Sequence, residues 1–576
     1  MDRSDSAIRT RRLVNTELFQ RTASELPRQK QIELEFLRAQ TVARQYNLTT
    51  EDVLTLSDKF WALHMDNIIA LDGAPSVLIT IQYNLAAGTL IPWAARRPEL
   101  RPLLESIMKF DCSAQFMLTE HAHGLDAIHI ETTATRLGDG SFDLHTPHDG
   151  AAKYMPPTVP LVGLNVARVA IVLAQLVVDG ENRGVRPFVV QLSDGKEMCE
   201  GVTCRQLPER AGTGSLGHSL TWFDHVKLPA SACLGSTNMP KSKKAAFHAA
   251  IWRVVVGGIA VSIPVVPAIG TAAYIAARYS QRRMVVSSLT NNLVPIISFR
   301  TQQIPILHAL VQQFVITAFM QRKTSRAFAM FCDPEADVRV RMGIVAAAKS
   351  TILQHAQESL TQLSNRIGAQ GLVGYNQIIS LQAKARGSSI AEGDTLVLSI
   401  RLATELLLGR YELPPPRYPD SLAAKHEVGL IAEARNIMLT SLQGKHRSDL
   451  FSRIILPRCE TIVKAIGERL FYEAAVDAGL DKTVVDLYEV GILKHDPAWY
   501  ATNAGLSGWD INEREDAAIT SALDELEKWL SLSHTAEYAV APIITAERWQ
   551  DFVATLPTFT GSASSDIGKH AARSRL

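Results

Sequence analysis

The chain has 576 residues, 47% of them apolar, enough for a sizeable core shared among about three or four domains. Lys and Arg number 59 against 58 Asp and Glu, a formal net charge of +1, which excludes a single-sign field for broad nucleic-acid attraction. The six cysteines, at 112, 199, 204, 233, 332 and 459, form no CxxC pair and lack the density of a disulfide scaffold, so they read as small buried hydrophobes in a reducing compartment.

Residues 1–110 read as helical, because apolar residues recur at mixed three- and four-residue steps; Ala95–Leu104 is one amphipathic piece. The first 30 residues hold no apolar stretch fit for a secretory signal, so export is not expected. Over 111–240 the texture changes to short β-rich runs. A hairpin turn is expected at Leu137–Phe142, with strands at Ala170–Val178 and Pro187–Leu192 around a turn at Asp179–Gly184. Helical periodicity returns over 241–412. There the uncharged run between Arg253 and Arg278 is long enough for a membrane span, yet its Gly, Ala, Ser and Pro suit a helix packed inside a bundle, without stable membrane insertion. Ile352, Leu353, Ala356, Leu360, Leu363 and Ile367 share one helical stripe. The prolines of Tyr411–Asp420 end that region, a second C-terminal helical domain occupies 421–556, and a flexible tail, 557–576, closes the chain. Its last residues, Ser574-Arg575-Leu576, vary the Ser-Lys-Leu peroxisomal address conservatively, which implies an import receptor as partner.

The segment Leu118–Thr135 reads LTEHAHGLDAIHIETTAT. His121 and His123 alone suggest a metal pair, but no Cys or carboxylate cluster in the adjoining sequence completes a coordination shell, and no metal is expected. Thr119-Glu120, His123-Gly124 and Glu131–Thr135 together resemble, without a gap, the pattern of the acyl-CoA oxidase family. Further matches follow in the family's order. Trp222–Pro229 resembles the strand that closes its β domain, Ala276–Arg283 its Arg-Tyr-Ser-x-x-Arg stretch, and Phe299–Leu310 its Phe-x-Thr-Gln-Gln segment. Arg366–Asn376 is similar to its glycine-rich loop at Gly371, Gly374 and Tyr375, and Ile390–Ala403 to the stretch bearing its catalytic glutamate, here Glu392. Without the resemblance, Arg283 is a solvated cation, Gly371 and Gly374 a helix stop and turn, and Glu392 a loop carboxylate.

The resemblance implies a multidomain α+β fold: an N-terminal helical domain, a central β-barrel-like domain, a C-terminal helical bundle and a second C-terminal helical domain. It implies FAD bound non-covalently, with Thr119, Pro157 and Thr158 beside the flavin ring. Arg283, Gln302, Gly371 and Gly374 would serve the pyrophosphate and adenine side of a partner subunit in a homodimer. Glu392 would abstract the α-proton of an acyl-CoA substrate to give the 2,3-trans-enoyl thioester, the electrons passing to molecular oxygen as hydrogen peroxide. Three departures stand out. Lys153–Thr158 reads KYMPPT where the family has a Trp and glycines, so Pro157 offers no amide and Thr158 is left to compensate. Ala391 replaces a Tyr before the base, which leaves room for an altered acyl group. The chain is modestly shorter than a typical member of the family, mainly in the N-terminal region, which in the family shapes the acyl tunnel. The acyl group would belong to fatty-acid β-oxidation or to a specialised metabolite. Two further readings are a dehydrogenase-like flavoenzyme acting on another activated carbonyl and a flavin-free relative without catalysis.

Overall fold

The computed structural model describes residues 9–21, 26–211, 214–441 and 446–562. The first long helix, α1 (Arg28–Tyr46), buries Ile32, Phe36, Ala39, Val42, Ala43 and Tyr46, the three- and four-residue spacing that puts side chains on one face. The expected piece at Ala95–Leu104 starts later. Pro98 keeps Arg97 extended, and a 3-10 turn at Pro98–Leu100 precedes a helix at Arg101–Met108 with Pro102 in its first turn.

Nine strands follow: β1 (Ser113–Met117), β2 (Thr133–Arg136), β3 (Phe142–His145), β4 (Lys153–Pro157), β5 (Arg168–Val178), β6 (Glu181–Ser193), β7 (Val202–Gln206), β8 (His218–Phe223) and β9 (Val226–Leu228). One edge of β5 pairs in parallel first with β1 and then with β2, while β6 covers its other edge; β3 and β9 continue that curled sheet. A three-stranded sheet, β4-β8-β7, lies beside it. The expected turn at Asp179–Gly184 shrinks to Asp179-Gly180, both at positive φ, because the strands pair down to Val178 and Glu181. Trp222–Pro229 is likewise two strands, with His225 at φ 51 turning the chain from one sheet to the other.

The bundle comprises α2 (Trp252–Ala260), α3 (Val265–Arg282), α4 (Arg300–Phe319), α5 (Val338–Arg366), α6 (Ile378–Ile390) and α7 (Thr395–Leu407), with a small hairpin, β10 (Met284–Val286) and β11 (Leu293–Pro295), after α3. Two helical stretches, Ala74–Ala94 and Trp252–Arg282, are long and apolar enough to cross a membrane, and 83% of each apolar window is buried inside the protein. Small residues explain the close packing: a Cβ on Gly270 would stand 2.4 Å from the Gln313 side chain of α4. Beyond the proline connector come α8 (Leu422–Thr440), α9 (Cys459–Asp477), α10 (Lys482–His495), α11 (Gly508–Asp524) and α12 (Ala546–Ala554). One apolar core runs from Val14 to Ile544 through the N-terminal helices, the bundle and the C-terminal helices, and a second fills the β layer. Ser574-Arg575-Leu576 lies outside the described residues.

Candidate active site

Glu392 sits between α6 and α7 in the left-handed region, at φ 56, and Gly393 follows at φ 94. Left-handed backbone is unfavourable for a residue with a Cβ, so something must hold it there. Behind the turn is Lys349 of α5, fully buried, whose ammonium donates to the Ala391 carbonyl and, at 2.5 Å, to the Gly393 carbonyl. The Glu392 carboxyl lies in a notch on α2 made by Gly257, where a Cβ would stand 2.9 Å from Cδ. Crowding by bundle atoms desolvates the carboxyl and pushes its pKa up to about 7, against the opposing pull of Lys349. Burial draws the Lys349 ammonium down to about 8, while Glu392 and Asp394 favour its charge. A carboxyl titrating near neutrality, on a turn whose flanking carbonyls a buried cation holds, suits a general base. Ala391, beside it, is exposed.

On the β layer, Thr119 is partly exposed, and its hydroxyl has no hydrogen-bond partner among the described residues. Its carbonyl accepts from the Tyr154 amide at 3.0 Å, tying the loop to β4. The neighbouring Glu120 is buried and fully used. Oε1 accepts from Thr132 N and Oγ1 and from Lys153 Nζ, at 2.9, 2.6 and 3.0 Å, and Oε2 accepts from the Glu131 amide at 2.8 Å. Burial opposes the Glu120 charge, but Lys153 and these donors outweigh it and hold the carboxyl below its usual range. His123 Nδ1 lies 3.1 Å from Glu120 Oε2 within the loop, and the His121 ring meets Tyr154 of β4 edge-on.

The KYMPPT wall departs from the role expected of it. Met155 takes φ 70 where the pairing of β4 with β8 slips between Tyr154 and Pro157. Pro157 and Thr158 are both buried. The Thr158 amide donates to Pro156 O at 3.0 Å, and its hydroxyl joins those of Ser219 and Thr221. Thr158 therefore does not replace the donor missing at Pro157; the strand slip turns it into the sheet interior.

A third group lies at the C-terminal end of α3. Arg283 is exposed and lines a cavity of about 400 Å³ with Tyr279, Arg282, Gln370 and Trp549. Gln302 on α4 donates to Arg366 O at 3.2 Å, next to the turn that carries Gln370, and its buried Oε1 has no partner. Gly371 answers a local need, because a Cβ there would meet Ser364 O of α5 at 2.4 Å. Gly374 has open space around it. Two guanidinium groups on one cavity and an uncrowded glycine backbone near it are donors that fit a dinucleotide pyrophosphate, whereas the orphaned Gln302 Oε1 is an acceptor and suits an N–H of the ligand instead.

Three features of the site were missed by sequence reading: Lys349, Gly257 and Arg210, whose guanidinium reaches Gly387 of α6 from the β layer. A signal existed for Lys349. It falls three residues before Ile352 and four before Leu353, a charge on an otherwise apolar stripe.

The model of the acyl-CoA oxidase C-alpha1 domain matches residues 259–407, which include Arg283, Gln302 and Glu392. The chain is 24% identical over 424 residues to the human peroxisomal acyl-coenzyme A oxidase 3, covering 69% of this chain and 59% of that one. It is 23% identical over 309 residues to the peroxisomal acyl-coenzyme A oxidase 3 of Arabidopsis thaliana, covering 50% and 44%. The chain thus spans about half the length of the curated relatives it matches. Its fold is similar to that of acyl-CoA oxidase 1 from Yarrowia lipolytica, at TM-score 0.80 and 15% identity over 98% of this chain and 92% of that one. It is also similar to acyl-CoA oxidase 2 of Caenorhabditis elegans, solved with FAD, ascaroside-CoA and ATP, at TM-score 0.74 and 16% identity over 100% and 95%. The matched domain, these relatives and the fold agree in their similarity to the acyl-CoA oxidase family.

Proposed function

We propose that this protein oxidises an acyl-CoA thioester to its 2,3-trans-enoyl-CoA with FAD as cofactor and molecular oxygen as acceptor, releasing hydrogen peroxide. The observation that carries the proposal is Glu392: a carboxyl with pKa about 7, set in a left-handed turn against Gly257 and Lys349 within the matched domain. Its role is to take the α-proton of the thioester, for which a desolvated carboxylate is a strong enough base. The Glu392 amide, which makes no backbone hydrogen bond among the described residues, is available to the thioester oxygen as charge develops there. FAD, when bound, supplies the hydride acceptor and the path of electrons to oxygen. Thr119 would meet the flavin ring with its free hydroxyl, and Pro157 would contribute shape alone. Arg283, Gln302 and Gly374 would hold the pyrophosphate side for a second subunit of a homodimer. Ala391 leaves open space beside the base, in keeping with a branched or bulky acyl group from fatty-acid breakdown or from a specialised metabolite. The peroxisomal names of the relatives and the Ser574-Arg575-Leu576 ending support a peroxisomal location.

Steady-state peroxide production by the purified flavoprotein over a panel of short, medium, long and branched acyl-CoAs tests the proposal. Turnover of at least one thioester is expected. Flavin that no thioester reduces would refute it, and protein that takes up no flavin would point to a non-catalytic relative.

A further inference from the structure

The residues flanking Glu392 have their carbonyls on one buried ammonium. Lys349 projects from the middle of α5, the longest helix of the bundle, and its stem runs past Gly258 of α2. Its Nζ meets the Ala391 and Gly393 carbonyls, one on each side of the peptide that bears the base. Leaving a lysine fully buried is unfavourable unless its charge is matched, and carbonyl dipoles together with a nearby carboxylate match it. Among the described residues the surroundings offer no substitute. On α2 the cation is Arg253, whose guanidinium is turned away to Asn84 O and Val53 O at 2.8 and 3.2 Å. Arg210 of the β layer reaches α6 at Gly387, five residues before the base. Asp394 in the base's own loop is committed to the Leu396 amide at the start of α7.

We propose that Lys349 is the positioning residue of this site: clamped on the carbonyls of Ala391 and Gly393, its ammonium fixes the Glu392 turn and keeps the carboxylate ionised for proton abstraction. The inference rests on the reading of Glu392 as the base. It assigns Lys349 two separable actions, a hydrogen-bonding clamp on the backbone and a charge beside the carboxylate. Removing the charge destabilises the ionised form of Glu392, so a larger share of the base is protonated at a given pH and the acid limb of the rate profile moves to higher pH. Removing the clamp frees a turn that its φ angles disfavour.

Two variants of the full-length flavoprotein separate these actions. Lys349→Gln retains a donor without charge, and Lys349→Met retains neither. Anaerobic stopped-flow reduction of the flavin by a reactive acyl-CoA, followed from about pH 5 to about pH 9, is expected to show the acid limb displaced upward by about one unit in both variants, with the limiting rate ~10- to 100-fold lower in Lys349→Met. Hydrogen exchange by mass spectrometry on the flavin-free proteins supplies a readout independent of turnover. Peptides spanning 390–398 should exchange faster in Lys349→Met and close to wild type in Lys349→Gln, with the remainder of the bundle unchanged. An unmoved acid limb in both variants overturns the electrostatic half, and unchanged exchange of 390–398 in Lys349→Met overturns the clamp. Should Lys349→Met fail to fold, Lys349→Gln still decides the acid limb, and faster exchange of 390–398 in that variant would overturn the clamp, since its amide keeps the donor. If the wild-type flavin is reduced by no thioester, it is the base assignment that fails, and the exchange arm still decides the clamp.

Discussion

Among the described residues eleven with a side chain take a positive φ, and two of them, Glu392 between α6 and α7 and Met155 in β4, are held there by different means. The Met155 turn is fixed covalently and by the sheet. Two prolines follow it, Lys153 before it is locked to Glu120, and Thr158 after it is locked to Ser219 and Thr221. The Glu392 turn has no proline within two residues, and a buried ammonium on its two flanking carbonyls does the holding. The first turn is a wall with several separate supports. In the second, geometry and ionisation depend on the same lysine, the arrangement expected where strain serves chemistry.

The comparison is tested most severely at the base. Glu392→Gln should lower flavin reduction by acyl-CoA by ~10³-fold or more while leaving the flavin absorption band intact, because a neutral amide cannot take the α-proton. Reduction at the wild-type rate would break the assignment. Gly257→Ala comes next. A Cβ 2.9 Å from the Glu392 carboxyl carbon must displace it, and the expected result is a ~100-fold slower reduction with FAD affinity unchanged; an unchanged rate would show that the notch does not set the base's position. Arg283→Ala should weaken FAD binding about tenfold in a fluorescence titration and leave the pH dependence of reduction alone, because it sits at the other group of residues. The smallest effect belongs to the wall. Met155→Gly removes a left-handed penalty and adds freedom to the unfolded chain, so denaturant unfolding should shift by less than about 1 kcal/mol in either direction. A loss several times larger would mean that the Met155 side chain, and not the prolines, shapes that turn.

Much of the fold could be read from periodicity. The stripe from Ile352 to Ile367 is buried throughout, and the Leu137–Phe142 turn joins β2 to β3 as its Gly-Asp-Gly suggests. Local boundaries were harder where two signals competed. At Ala95–Leu104 the apolar spacing was right, but Pro98, with Arg97 extended before it, interrupted the helix there. At Asp179–Gly184 the polar composition looked like a long turn, although long-range pairing carried the strands to within two residues of each other. The site was legible as an ordered set of short motifs, which located Glu392, Thr119 and Arg283. What the sequence concealed depends on direction. Whether Thr158 faces a ligand or the sheet interior turns on a one-residue slip, and whether Gly371 serves a ligand or Ser364 turns on how the chain doubles back on α5. Lys349 is separated from Glu392 by more than 40 residues, and only the packing of α5 behind the turn makes them neighbours.

The proline connector at Tyr411–Asp420 marks a change of chain direction without marking a mechanical joint. Its Arg417 and Tyr418 are bonded to Asp477 of α9, and Pro414 O accepts from Arg469, itself buried between Glu427 and Glu473. Nearby, α9 meets α5 so closely that a Cβ on Gly467 would stand 2.1 Å from Thr351 Oγ1. A single peptide-bond cut in the connector would therefore leave two fragments clasped along α5 and α9, and the halves of this chain are candidates for reassembly as a split protein, in which neither piece covers its apolar flank without the other.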